Sequence, residues 1–182
     1  RYYEDVVQGF EGPAGVAIMD LDDFKIYNDS CGHQAGDLAL EVAAAVIRGC
    51  IRQTDTLIRY GGDEFLLILP GLPADHLKQK LEQIRSKVYA TSVPGYSHLH
   101  LSLSIGGVMQ APNDTVEAAV RHADRLMYQA KNRKNSVTVE LDGAGGPSPV
   151  LNRSELDKQQ VLIVDDSAMN RMILAEILGS DY

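Results

Sequence analysis

Residues 55–70 read DTLIRYGGDEFLLILP. Two β-type runs, DTLIRY and EFLLILP, flank Gly61-Gly62. A glycine pair between such runs is a strong short-range signal for a hairpin. A plain hairpin needs the glycines but has no need of the adjacent acids Asp63 and Glu64. Successive strand residues point to opposite faces, so these two acids are suited to different tasks.

Working outward, GVAIMDLDDF (15–24) is a short apolar run that closes in acids, which predicts a buried strand with a polar C-terminal end. Asp20 and Asp22 stand two apart there and project from the same side. Residues 38–52, LALEVAAAVIRGCIR, place Leu38, Val42, Ala45, Val46 and Cys50 at helical spacing. Residues 74–90 form a second amphipathic helix with Leu77, Leu81, Ile84 and Val88 on one stripe. HLHLSLSIGGVMQ (98–110) alternates strictly and reads as one strand with Leu99, Leu101, Leu103 and Ile105 on one face. A helix over 115–131 and a closing strand, SVTVEL, complete the order strand, helix, hairpin, helix, strand, helix, strand. That order implies a sheet with helices packed on it.

The chain has 182 residues, 45% of them hydrophobic, and a net charge of −8. The negative balance argues against a general nucleic-acid surface and leaves phosphate handling to a few placed cations and a divalent metal. Cys31 and Cys50 have no metal-type spacing and read as free thiols of a reducing compartment, the cytoplasm. No apolar run reaches the length of a membrane span, and RYYEDVVQGF lacks the pattern of a signal peptide. DGAGGPSPVLNRSELDKQ (142–159) breaks the periodicity and reads as a linker. QQVLIVDDSAMNRMILAEILGSDY, which follows, offers one strand and one helix, too little to bury a core of its own.

The acids at the first strand and the hairpin carry the chemistry. One of Asp63 and Glu64 is placed to join Asp20 around a metal while the other faces a substrate. Oxygen ligands with no histidine or thiolate beside them favour Mg2+ or Mn2+ over zinc. Magnesium held by one or two carboxylates is usually completed by substrate phosphates, so a nucleotide is the natural third party. A solvated polar turn is the bland alternative.

RYGGDEF (59–65) together with DLDDFKIYNDSCGHQAGD (20–37) resembles the GGDEF family of diguanylate cyclases. Asp20, Asp22, Phe24, Lys25, Asn28, Asp29, Gly32, His33, Gly36 and Asp37 match the upstream pattern, and SLSIGG and HADRLMYQAK look like the family's later strand and helix. The resemblance implies an α+β fold like the palm of adenylyl cyclases, with a central, mostly antiparallel sheet flanked by helices over residues 1–141. It implies condensation of two GTP molecules into cyclic di-GMP with release of two pyrophosphates, in bacterial second-messenger signalling. Asp20, Asp63, Glu64 and the carbonyl of Leu21 would bind the metal, and Glu64 would help to activate the ribose 3′-hydroxyl. Asn28 and Asp37 would read guanine. Phe24, Lys25, Lys131 and Lys134 would meet the phosphates, Gly61 and Gly62 would leave room for the nucleotide, and His33 would serve either the loop or the site.

RQTD (52–55) matches the family's inhibitory R-x-x-D pattern, so Arg52 and Asp55 would bind product, with Arg85 as helper and Gln83 where an arginine is expected. Each domain would hold one GTP, which makes a homodimer part of the mechanism. The family's opening stretch is absent apart from Arg1, so the N-terminal edge is expected to be missing. AKNRKN (130–135) is one residue shorter than the family's basic loop and lacks its glycine, so Arg133 and Lys134 compete for one role. VLIVDDSAMNRMILAEIL resembles the first strand and helix of a response-regulator receiver, truncated within 160–182, with Asp165 and Asp166 as its acid pair. The alternative from another class is a non-catalytic module that binds GTP or cyclic di-GMP.

Overall fold

The structure is a computed structural model and describes residues 14–110 and 114–141. Arg1, the linker and the receiver-like segment lie outside the described residues. The elements are β1 (Ala14–Leu21), α1 (Phe24–Cys31), α2 (His33–Arg48), β2 (Thr56–Arg59), β3 (Glu64–Pro70), α3 (Ala74–Tyr89), β4 (Ser92–Val93), β5 (Tyr96–His100), β6 (Leu103–Met109), α4 (Val116–Lys131) and β7 (Ser136–Glu140). Five strands form one sheet in the order β2-β3-β1-β6-β7, antiparallel except for the last pair. β4 and β5 pair separately. This is the α+β, mostly antiparallel sheet with flanking helices that the resemblance implies.

β1 sits at the centre and is buried along its whole length, which explains why its sequence is almost wholly apolar. The period of two divides its side chains between two cores. Ala17, Met19 and Leu21 join Phe65, Leu67 and Leu69 against α2 and α3. Val16 and Ile18 join Leu66 and Ile68 against α4. Continuing the second series puts Asp20 and Glu64 on the α4 side, where the apolar column ends.

The α3 stripe is as the periodicity predicts: Leu77, Leu81, Ile84 and Val88 are fully buried, at roughly 1.5–3 kcal/mol each. Thr115 caps α4 by accepting a hydrogen bond from the Ala118 N–H at 3.2 Å, worth ~1 kcal/mol. α4 lies very close to β6. A Cβ on Gly106 would stand 2.1 Å from the Ala123 carbonyl oxygen and 2.1 Å from the Met127 nitrogen, so only glycine fits.

Three sequence expectations are corrected. α2 begins at His33, five residues before the predicted 38, and its buried stripe is Ala35, Ala39, Leu40, Ala43 and Ile47. Leu38, Val42 and Val46 are only half-buried and Ala45 is exposed, because small alanines let this helix sit close to the sheet and take the inner face. α1 is added to the expected order, in which the helix over 38–52 is the first to follow β1. It contributes one buried residue, Tyr27, whose hydroxyl donates to the His100 carbonyl and ties the helix to β5. Residues 98–110 are two strands rather than one. The chain leaves the β4–β5 ribbon at Leu101-Ser102, where the Ser102 carbonyl accepts the Asp22 N–H at 3.0 Å, and then enters the main sheet.

Candidate functional site

Antiparallel pairing sets Asp20 directly opposite Glu64 on one side and Ser104 on the other. Asp63 lies in the turn just before β3, and its carbonyl accepts the Leu21 N–H at 3.2 Å, which pins the turn to the end of β1. The turn is also braced from within. The Tyr60 and Gly61 N–H groups both donate to the Glu64 carbonyl, at 2.8 and 3.3 Å, and Arg59 donates from Nε and Nη2 to the Gly62 carbonyl, at 3.1 and 2.7 Å. Sequence reasoning missed this role of Arg59, since a strand-end arginine carries no signal of what it braces.

The resemblance implies that Gly61 and Gly62 leave room for a nucleotide. At Gly61 the space belongs to the protein: a Cβ there would meet Glu64 Oε2 at 2.7 Å. Gly62 is open, with nothing within 4 Å of such a Cβ. The first glycine therefore seats the Glu64 carboxylate and the second leaves open space.

Asp20 is 2% exposed. Its Oδ2 accepts from Lys131 Nζ at 2.8 Å, while its Oδ1 is buried without a hydrogen-bond partner. Burial pushes the Asp20 carboxyl from 3.8 up to about 6; the Lys131 hydrogen bond pulls against this, and the nearby charges of Asp63 and Glu64 add to it. Partial burial works against the Lys131 ammonium, but the Asp20 hydrogen bond and the same three acids outweigh it and hold its pKa above the usual lysine value. Lys131 stands in the last turn of α4, where the helix dipole also favours a cation.

Asp22 does different work. It is buried, and its carboxylate accepts from Ser102 Oγ at 2.7 Å, Ser104 Oγ at 2.6 Å and the Asn135 N–H at 2.8 Å. It joins the β1–α1 turn to β6 and to the loop before β7. Next to it, Asp23 has a left-handed backbone, φ 58°, and receives Lys134 Nζ on both carboxylate oxygens at 2.7 and 2.8 Å. Lys134 is thereby folded onto the turn that opens α1.

The guanine-reading candidates stand on the two helices that follow this turn, Asn28 on α1 and Asp37 on α2. Asn28 on α1 lies against Gly36 on α2, where a Cβ would fall 2.0 Å from Asn28 Oδ1 and 3.2 Å from Phe24 Cζ. The bare Gly36 backbone thus seats the Asn28 amide, and half-buried Phe24 packs beside it. Lys25, His33 and Asp37 are exposed. Asp37 borders a hollow of about 500 Å3 between α2 and the hairpin, with Leu40, Leu57 and Phe65 as its apolar part and Arg48 and Arg59 at its edge.

Arg52 and Asp55 form a turn of their own: the Arg52 N–H donates to Asp55 Oδ2 at 2.7 Å. The Arg52 side chain borders a hollow shared with His76, Lys80 and Gln83. Arg85 points elsewhere, to Glu82 at 2.8 Å and Asn135 Oδ1 at 2.9 Å, so Gln83 and Lys80, not Arg85, stand beside the R-x-x-D turn.

The fold and this end of the sheet define an α+β domain with opposed acids, a lysine set against them and an adjoining hollow of ligand size that Glu64 and Lys131 themselves line. The chain belongs to the family described as diguanylate cyclase, GGDEF domain, whose match covers residues 5–136. Diguanylate cyclase A of Treponema denticola is 36% identical over 128 residues, 68% of this chain and 34% of the relative. Diguanylate cyclase DosC of Escherichia coli is 36% identical over 123 residues, 66% of this chain and 27% of the relative. The chain therefore spans about a third or less of the length of these curated relatives. The GGDEF domain of DgcB from Caulobacter crescentus, solved in complex with c-di-GMP, is 28% identical with a TM-score of 0.66, covering 75% of this chain and 82% of that one. Among the described residues no helix is long and apolar enough to cross a membrane.

Proposed function

We propose that this chain is the cyclase module of a bacterial signalling protein, condensing two GTP into cyclic di-GMP and releasing two pyrophosphates. One observation carries the reading: Asp20 faces Glu64 in register, with Asp63 and Lys131 beside them, in a chain whose curated relatives bear the name diguanylate cyclase.

The donor set fits a divalent ion. Asp20 Oδ1 is a buried oxygen without a partner, and all the candidate ligands are hard oxygens. Mg2+ or Mn2+ held by one or two carboxylates is completed by phosphate oxygens. Asp20, Asp63, Glu64 and the Leu21 carbonyl would hold it. When bound, the ion lowers the pKa of the attacking hydroxyl and neutralises phosphate charge.

The remaining work belongs to side chains. Glu64 takes the proton of the ribose 3′-hydroxyl as its oxygen bonds to the opposing α-phosphorus and the bond to pyrophosphate breaks. Asn28 and Asp37 pair with the donor and acceptor edge of guanine, which adenine does not match. Phe24 and Lys25 at the start of α1, with Lys131 and Lys134, receive the β and γ phosphates, and open Gly62 lets them approach. His33, exposed at the first residue of α2, stands on the substrate side with them. Arg52 and Asp55 bind product for feedback. Each copy holds one GTP, so the working unit is a homodimer in the cytoplasm. Residues 142–159 act as a linker to the start of a receiver domain in 160–182, which places the module under two-component control.

The test is incubation with GTP and Mg2+, followed by chromatography for cyclic di-GMP and pyrophosphate, with Asp63→Ala as control. Product from the natural chain and none from the variant is expected. Nucleotide binding without product at dimerising concentrations would favour the non-catalytic reading.

A further inference from the structure

We infer that Lys131 is a resident counter-ion which holds Asp20 until nucleotide arrives, so that the chain takes up its divalent ion together with the triphosphate and not before it. The inference rests on the metal reading above and adds the order of binding. Lys131 Nζ occupies Oδ2 of Asp20 at 2.8 Å, while Oδ1 of the same carboxylate stays buried and unpartnered. One arm of the central acid is thus taken by a cation from the chain itself, and the other is left for a ligand. Asp63 and Glu64 raise the local negative charge, and Lys131 offsets it.

A divalent ion entering alone would share Asp20 with an ammonium a few ångströms away, and like charges at that range oppose each other strongly in a partly buried site. A triphosphate reverses the balance. It brings several negative charges, and Lys131, with 41% of its side chain exposed at the end of α4, is free to move onto them. Asp20 is then open to the ion that the phosphates carry.

The order has a signature that a merely structural lysine lacks. Mn2+ binding, followed by electron paramagnetic resonance, is measured with the ion alone and with GMPCPP, a GTP analogue whose α–β bridge cannot be cleaved. Lys131→Met is expected to tighten Mn2+ alone by about tenfold, because a competing cation is gone. The same variant is expected to weaken Mn2+ in the presence of GMPCPP by about tenfold, because a phosphate partner is lost. Lys131→Gln repeats the pair with a different shape. Mn2+ alone binding no tighter in either folded variant overturns the inference. Unfolding of both variants overturns it too, since a lysine that must leave Asp20 is not needed there for the fold. A separate failure is recognisable: Asp20→Asn taking Mn2+ with GMPCPP as tightly as the natural chain would remove the metal assignment itself.

Discussion

Asp20 completes a column that is otherwise apolar, Val16 and Ile18 preceding it on the same face of β1. The position is suited to a ligand and poor for the fold. Because its carboxyl rises from 3.8 to about 6, the folded chain keeps a proton that the unfolded chain releases. The stability this brings is complete below the unfolded value and is lost as pH climbs through the folded one, between about pH 4 and 6. The full shift would be worth at most ~3 kcal/mol. Metal-free Asp20→Asn should therefore unfold at higher denaturant than the natural chain at about pH 7.5, with the gap closing toward about pH 4. Urea titrations at several pH values check this, and equal midpoints at the higher pH would refute it. Asp22, two residues on, is the contrast: three donors hold its carboxylate, and it serves the fold.

Glycines separate fold from function most clearly at the level of elements. The added methyl of Gly106→Ala would strike the α4 backbone, which has no room to give, and should destabilise by ~3 kcal/mol or more. In Gly61→Ala it would meet only the mobile end of Glu64, so stability should change by less than ~1 kcal/mol while turnover drops by about tenfold or more. Denaturant midpoints and product assays on both variants decide it; matched losses of stability would contradict the division. β1, the hairpin and α3 were legible because each combines a clean period with clear ends. α1 was not, since FKIYNDSC buries only Tyr27 and has no side-chain cap at its start, so its polar residues mimic a turn. The break in 98–110 was hidden because alternation runs unbroken through Leu101, Leu103 and Ile105 while the backbone changes sheets at Ser102. Within the site, the opposition of Asp20 and Glu64 follows from antiparallel pairing of two readable strands. Lys131 on Asp20 and Lys134 on Asp23 bring together residues 111 positions apart in each case, and no local pattern announces that.

Among the described residues each chain sets Lys131 against the opposed Asp20 and Glu64, and on the proposed reading it holds one GTP, whereas cyclic di-GMP has two nucleotides and two new phosphodiester bonds. On the proposed reading each copy closes one bond, so a ring needs two competent copies facing each other about a two-fold axis. Two chains each carrying a net charge of −8 also repel, and added salt should assist their encounter. Mixing experiments give the sharper outcome. When natural chain and Asp63→Ala chain are combined in equal parts at constant total concentration and allowed to exchange, only about a quarter of the dimers carry two intact sites. Cyclic product should therefore form at about a quarter of the undiluted rate, and linear dinucleotide should accumulate from mixed dimers that close one bond and stop. Chromatography resolves both species. A rate of one half with no linear product would mean that each chain completes the ring unaided, which one acid pair per chain does not allow.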